Sequence, residues 1–225
     1  MIPKMSEGEK RGRGRPVAFD RYTALHEAMK LFWERGYEGT SFDDLIGAMS
    51  ISASTFYNSF GSKERLYDEA VGQYLTETST WFSRILNEPG DTRAVFERLF
   101  ESTAEEFTRP DLPAGCMISL AGTHVPPSLC SIREKMVSHR ALSEVVMADR
   151  LRRGIAAGDV PPDTNVEVLA GFFSALSRGL AVEARDGASK ERLLQIGRQA
   201  MQVWPAGPKQ QGQRVSAGPR RKVNA

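Results

Sequence analysis

The sequence predicts an all-α protein, in which an N-terminal unit of three helices precedes a larger helical region, with about nine helices in total. Between residues 20 and 204 the apolar residues recur at intervals of three and four, which is the repeat of an amphipathic helix. Gly, Pro, Ser and Asp divide this stretch into segments of helical length. The strict alternation typical of a strand is almost absent. With 225 residues, the chain is long enough to bury a substantial core.

The first helix is predicted by an apolar face whose members lie three, four and three residues apart: Tyr22, Leu25, Met29 and Phe32. Asp20 can cap the start of this helix, because its carboxylate can accept a hydrogen bond from a free backbone N–H group. Gly36 stands where a left-handed residue commonly ends a helix.

Two short helices follow and are separated by the turn at residues 50–52. Ser41, with Asp44 three residues later, has the spacing of a capping box at the start of the second helix. Ser52 can cap the third helix, over residues 53–59. Two short helices joined by such a turn form a helix-turn-helix, whose second helix enters the major groove of DNA. The alternative is a helical hairpin in which the hydroxyl groups only cap helix ends.

The remaining helices are delimited by breakers. Pro89-Gly90 ends the fourth helix, Asp91 or Thr92 begins the fifth, and Pro126-Pro127 begins a long one. The predicted segments are 62–88, 92–107, 116–123, 126–154, 163–184 and 189–204.

The net charge of +2 conceals an uneven distribution. Residues 1–19 contain five basic and two acidic residues, and residues 205–225 contain five basic and no acidic residue. Residues 20–204 contain 20 basic and 26 acidic residues and are therefore mildly acidic. Both ends are rich in Gly and Pro and lack apolar periodicity, so we expect a disordered basic arm and a disordered basic tail.

Arginine on such an arm can enter the minor groove beside a domain that reads the major groove, which makes Arg13 and Arg15 candidate DNA contacts. The alternative for either end is a solubilising segment without a partner. For the tail, which lies far along the chain from the helix-turn-helix, this alternative is favoured.

Several protein classes are excluded by composition and motifs. Two cysteines are too few for a disulfide scaffold, and no apolar run approaches the roughly 18 residues of a membrane-spanning helix. The N-terminus has no apolar secretory segment, so we expect a cytoplasmic protein with no membrane partner. No HExxH, paired CxxC, P-loop or GxSxG motif is present, so we expect no metal, no cofactor and no enzymatic activity.

Residues 21–75 resemble the DNA-binding domain of the TetR family of bacterial transcriptional regulators. The resemblance rests on four segments in a fixed order: Ala28–Tyr37 (AMKLFWERGY), Thr40–Leu45 (TSFDDL), Ser54–Phe60 (STFYNSF) and Ser62–Leu66 (SKERL). It implies a DNA-binding domain over residues 20–66 and a ligand-binding and dimerisation domain over residues 67–204. Ser54 stands where the family often has Gly, and Ser59 where His is frequent, so the operator sequence stays undefined.

The resemblance matches Thr40, Ser41, Tyr57 and Lys63 to phosphate contacts of the family. The short side chains at the start of the recognition helix would lie against base edges, and Asn58 would be within reach of a phosphate or a base. The expected DNA-binding residues are Arg13, Arg15, Thr40, Ser41, Ser52, Ala53, Ser54, Thr55, Tyr57, Asn58 and Lys63.

In the family, the C-terminal helices enclose a ligand cavity and pair two subunits through a four-helix bundle. The expected lining of a cavity for an apolar or aromatic effector is Phe96, Phe100, Phe107, Cys116, Met117, His124 and Phe172. The expected interface of a homodimer is Leu169, Phe173, Leu176, Leu180, Leu193, Ile196, Ala200 and Trp204. Ordinary core packing is the alternative for each of these side chains.

The sequence therefore predicts a ligand-responsive regulator, a repressor more than an activator, that binds a palindromic operator as a dimer. Three alternatives stay open. Cys116 could sense oxidants, which requires exposure and a lowered thiol pKa. Cys116 or Cys130 with His124 or His139 could serve an enzyme as nucleophile and base. A DNA-architectural protein is the third, although such proteins depend on a basicity that residues 20–204 lack.

Overall fold

The computed structural model describes residues 19–120 and 126–206, and these ranges contain nine α-helices, two short 3₁₀ helices and no strand. The all-α prediction is confirmed. The helices are Arg21–Arg35 (α1), Phe42–Ala48 (α2), Ala53–Phe60 (α3), Lys63–Leu86 (α4), Thr92–Phe107 (α5), Met117–Leu120 (α6), Cys130–Ala157 (α7), Val166–Arg185 (α8) and Lys190–Ala200 (α9).

The predicted N-caps are present. The Asp20 carboxylate accepts from the Tyr22 N–H group. Ser41 and Asp44 form the reciprocal capping box of α2, and Ser52 accepts from the N–H group of Thr55. Gly36 has a φ of +71° and a ψ of 177°, so it ends α1 with a positive φ but outside the left-handed helical region.

Several helix boundaries differ from the predicted ones. The segment expected over 126–154 begins with a 3₁₀ turn at Pro127–Leu129, and α7 then continues to Ala157, where left-handed Gly158 ends it. α8 begins at Val166 rather than at 163. The final helix closes with a second 3₁₀ turn, Met201–Val203.

The buried side chains form two cores that meet at α4 and α6. The first core joins α1, α2, α3 and the first half of α4 to α6 and the start of α7, through Met117, Ile118, Ile132 and Met136. The second core joins the end of α4 to α5, α7, α8 and α9. Cys116 packs against both cores. The core of the helix-turn-helix unit therefore extends beyond residue 66. It continues into α6 and the start of α7.

Arg185, at the end of α8, connects the same two parts by hydrogen bonds. Its guanidinium donates to the carbonyl oxygens of Trp33 at 3.0 Å, Glu34 at 2.8 Å and Ala114 at 3.0 Å. Trp33 and Glu34 lie in the last turn of α1, where carbonyl groups lack helical partners. A cation there is also favoured by the helix dipole. The bonds to Trp33 and Glu34 thus attach the end of α8 to the end of α1.

Candidate DNA-binding surface and regulatory cavity

α3 presents a small, polar surface at its N-terminus. Ser52, Ala53 and Ser54 are exposed. The Ser52 hydroxyl lies 2.9 Å from the hydroxyl oxygens of both Ser54 and Thr55, and it accepts from the Thr55 N–H group at 3.2 Å. All three of these side chains are small, so they leave room for the backbone of this turn to come close to a groove.

The opposite side of α3 fixes its orientation. Phe56 and Phe60 are at most 1% exposed and anchor α3 in the first core. Tyr57 remains 57% exposed and stacks on Phe42 with ring centroids 5.4 Å apart. Asn58 is exposed beside it. The buried rings make α3 rigid, while the hydroxyl of Tyr57 and the amide of Asn58 remain accessible at its edge.

Lys63 opens α4 next to this surface. Its ammonium group lies 4.2 Å from the centroid of the Tyr37 ring, a cation–π contact that restricts the side chain. Partial burial lowers the pKa of Lys63, and the carboxylate of Glu38 acts in the opposite direction. The described residues contain no ion pair with Lys63 within 4.0 Å, so its positive charge is not neutralised by a bonded carboxylate.

Thr40, which was expected to contact a phosphate, does not present its hydroxyl group at the surface. Its side chain is fully buried, and its hydroxyl donates to the Gly36 carbonyl oxygen at 2.7 Å. The hydroxyl therefore closes the end of α1 and does not face solvent. Ser41 is exposed, but its hydroxyl donates to the Asp44 carboxylate at 2.6 Å. Arg13 and Arg15 lie outside the described residues.

A cavity of about 120 Å³ lies between α4, α5, α6, α7 and α8. Its apolar wall is formed by aromatic and aliphatic side chains, among them Trp81, Phe82, Phe107, Leu142, Val146 and Met147. Its polar wall contains His139, Arg140 and Arg178 together with several hydroxyl groups. Burial, and then the positive charge of Arg140, lowers the pKa of His139, which favours the neutral imidazole.

Two of the seven side chains expected at the cavity, Phe107 and Cys116, line it. Phe96, Phe100 and Met117 do not line it; they are at most 2% exposed and fill the two cores. Phe172 does not line it either and is 42% exposed on α8. His124 lies outside the described residues.

Cys116 is partly buried at the cavity wall, and Cys130 is exposed at the start of α7; both are free thiols. The buried Tyr74 side chain lies against Cys116, and burial raises the pKa of Tyr74 well above its usual range. The role of Cys116 as a sensor stays a prediction. Within the described ranges, no group of three or more His, Cys, Asp or Glu residues could hold a metal ion, and no helix is long and apolar enough to cross a membrane.

The arrangement matches known proteins along most of the chain. Residues 24–70 match the family model of "Bacterial regulatory proteins, tetR family", and residues 93–200 match that of the "Tetracyclin repressor-like, C-terminal domain". The transcriptional repressor ComR of Escherichia coli is 35% identical over 197 residues, which cover 87% of this chain and 94% of that protein. The chain belongs to the TetR family.

Solved structures of TetR-family regulators agree with this assignment. A cysteine-substituted CifR bound to a 26-base-pair operator duplex is 39% identical, with a TM-score of 0.80, and the match covers 85% of this chain and all of that one. A TetR regulator from Rhodococcus sp. RHA1 is 33% identical, with a TM-score of 0.56, over 83% and 99% of the two chains. As a TetR-family member the protein is a DNA-binding transcriptional regulator, and the enzyme alternative is set aside.

The residues expected at the dimer interface of this TetR regulator divide into two groups. Phe173, Leu180 and Leu193 are at most 1% exposed within one subunit, because they pack in the second core. These three side chains thus have core partners within one subunit, and their place at a dimer interface stays a prediction. Leu169 and Ala200 are also buried, at 8% exposed each. The partly buried members are Leu176, Ile196 and Trp204.

Proposed function

We propose that the protein is a ligand-responsive repressor that binds a palindromic operator as a homodimer in the cytoplasm, and that a small apolar or aromatic molecule in the cavity releases it from DNA. The observation that carries this proposal is the exposed turn of Ser52, Ala53 and Ser54 on a helix anchored by buried rings. The named functions of relatives support it: ComR, and AcnR of Corynebacterium glutamicum, are transcriptional repressors. The experiment that tests it is footprinting, in which a short palindromic footprint is expected and diffuse protection would favour an architectural protein.

Release by a ligand requires that the ligand bind one conformation more tightly than the other. The cavity and the DNA-binding unit have two physical connections that can carry this difference. One is the shared packing of α6 in the first core, and the other is the set of bonds from Arg185 to the end of α1. A ligand that shifts α6 or the end of α8 changes the orientation of α3 in the dimer.

The dimer surface we propose is an exposed apolar stripe along α8. Its members lie four, three, four and three residues apart and are all exposed: Val168, Phe172, Ala175, Gly179 and Val182. Val203 extends the stripe at the end of the chain's helical part, where it is 51% exposed. Apolar side chains at helical spacing, with small residues between them, allow two helices to approach closely. A two-fold operator requires the two recognition helices to be related by the same symmetry.

Phe172→Asp is expected to convert the dimer into a monomer and to weaken operator binding about a hundredfold or more, because the second half-site loses its tethered partner. Light scattering at micromolar concentration and gel-shift titration measure the two effects. Val137→Asp, which changes an exposed valine of α7 outside the stripe, is the matched control and should leave both unchanged. A wild-type protein that is monomeric and still binds its operator tightly would contradict the dimer proposal.

Deletion of residues 1–15 is expected to reduce the salt dependence of operator binding. Each phosphate contact contributes about 0.9 to the slope of log affinity against log salt concentration, so the loss of Arg11, Arg13 and Arg15 lowers its magnitude by up to about 2.7 per subunit. Because residues 20–204 are acidic overall, we expect the arm to supply a large share of the salt-dependent binding to DNA. Gel-shift titrations from low to physiological salt measure the slope. Deletion of residues 207–225 is the control, and an unchanged slope after removal of the arm would refute its role.

A further inference from the structure

The cavity wall carries two positive charges that no acidic side chain balances. Arg140 and Arg178 line the cavity, and its described lining contains no Asp or Glu. Neither guanidinium forms an ion pair within 4.0 Å with any described residue. Residues 121–125, which follow α6 in the sequence and lie outside the described residues, are AGTHV and include no Asp or Glu. The cavity is therefore positively charged.

The hydrogen bonds within the protein satisfy only part of these two groups. Arg140 donates to the Ile118 carbonyl oxygen at 2.7 Å, and Arg178 donates to the Ser174 hydroxyl at 3.0 Å. A guanidinium has five N–H donors, and no second hydrogen bond joins either one to the described residues. Both arginines are partly buried, so a ligand that displaces the remaining water must supply acceptors for these donors. Both groups retain donors for a bound acceptor.

Electrostatics reinforces this conclusion. Both guanidiniums line the same cavity, and burial, followed by the positive charge of Arg178, lowers the pKa of Arg140. An anion held between them would remove this repulsion and replace lost hydration. A carboxylate also matches the planar fork of a guanidinium with two parallel hydrogen bonds.

Two hydroxyl groups of the wall already donate to carbonyl oxygens of their own helices. They therefore do not select for a neutral polar ligand as the guanidiniums select for an anion. The Ser143 hydroxyl donates to the His139 carbonyl oxygen at 3.1 Å, and the Ser177 hydroxyl donates to the Phe173 carbonyl oxygen at 3.0 Å. Both donors are thus used within their own helix. The opposite wall, which includes Trp81, Phe82 and Phe107, is apolar and aromatic and suits a ring. A cavity of about 120 Å³ is close to the roughly 150 Å³ apolar cavity that accepts benzene in another protein.

We propose that the cavity binds a small monocarboxylate with a single ring, whose carboxylate lies between Arg140 and Arg178 and whose ring packs against Trp81 and Phe107. This inference rests on the proposed function, because it takes the cavity to be the effector site, and it specifies the chemical class of the effector as an anion. Two charge-assisted hydrogen bonds fix the carboxylate, and burial of the ring supplies the apolar contribution.

The same arrangement links ligand binding to the DNA-binding unit. Ile118, whose carbonyl oxygen accepts from Arg140, is 2% exposed and belongs to the first core. A carboxylate bound between Arg140 and Arg178 draws the Arg140 guanidinium toward Arg178 and away from this carbonyl oxygen. Binding of the acid therefore loosens α6, which packs beside α1 in the same core. The coupling between ligand binding and DNA binding thus starts at the hydrogen bond from Arg140 to Ile118.

The test compares ring carboxylates with their uncharged amides on the full-length protein. Benzoate and cyclohexanecarboxylate are titrated by calorimetry beside benzamide and cyclohexanecarboxamide, and displacement of a bound operator duplex is measured in parallel. The acids are expected to bind about tenfold or more tightly than the amides, and to displace DNA at lower concentration. Arg178→Met and Arg140→Met should each remove most of this preference without weakening the amides. Arg84→Met, an exposed arginine of α4 outside the cavity, is the matched control and should retain it.

Two results would overturn the inference. One is equal or tighter binding of the amides, and the other is the absence of saturable acid binding at millimolar concentrations by a protein that binds its operator. A neutral molecule that occupies the cavity and releases DNA would overturn the anionic effector and leave the proposed function standing. If the wild-type protein without ligand does not bind operator DNA, that result counts against the proposed function instead. Melting temperatures of the two arginine variants show whether a loss of binding reflects unfolding.

Discussion

Ala53→Glu is expected to abolish specific operator binding while the protein stays folded. Ala53 is the first residue of α3 and is exposed. A carboxylate there would point into a groove flanked by phosphates, and like charges brought together at an interface cost several kcal/mol. The expected loss is about a hundredfold or more in affinity. An acidic residue in the first turn of a helix is favoured by the helix dipole, so stability should not fall.

The measurement is a gel-shift titration with a duplex selected from random-sequence DNA by repeated binding to the wild-type protein. Ala141→Glu, at an exposed position on α7, adds the same charge to the chain away from α3 and serves as the control. The control should bind almost as tightly as the wild type. If Ala53→Glu binds with wild-type affinity and an unchanged footprint, then α3 is not the recognition helix.

The N-terminal half of the molecule was predictable because its signals are local. The capping box of Ser41 and Asp44 and the cap at Ser52 depend only on residues within one helical turn, and both are present. Thr40 is the exception, because its hydroxyl closes the end of α1 through Gly36. That bond depends on how the chain leaves α1, which residue types alone do not specify.

The dimer surface and the cavity depend instead on which side of a helix faces the core. α8 is apolar on two sides: Phe173 and Leu180 face inward, whereas Val168, Phe172 and Val182 remain exposed. Both stripes have helical spacing, so periodicity cannot separate core from interface. Arg140 and Arg178 were missed for a related reason, since arginine on a helix usually faces solvent. Only the packing of α7 and α8 around the cavity places them inside.

Gly115, which directly precedes Cys116, occupies a position that requires glycine. Gly115 is buried, has a φ of +82°, and donates its N–H to the Phe107 carbonyl oxygen at 2.9 Å. A Cβ atom at this position would lie within 3.0 Å of both the Ala181 carbonyl oxygen and a methyl group of Leu120. The loop therefore meets the backbone of α8 so closely that only glycine fits, and this contact positions Cys116 at the cavity.

Gly115→Ala is expected to lower the free energy of unfolding by about 3 kcal/mol or more, because the strain of a left-handed residue adds to overpacking against a backbone atom. Gly158→Ala separates these two causes: Gly158 has a φ of +83°, but a Cβ atom there would meet nothing within 4 Å. Gly158→Ala should lower the free energy of unfolding by only about 1 kcal/mol, because it adds the conformational cost of a left-handed alanine without overpacking. Chemical denaturation measures both variants under the same conditions. If the two variants lose the same stability, the approach of the loop to α8 is not a constraint on Gly115, and the positioning of Cys116 needs another cause.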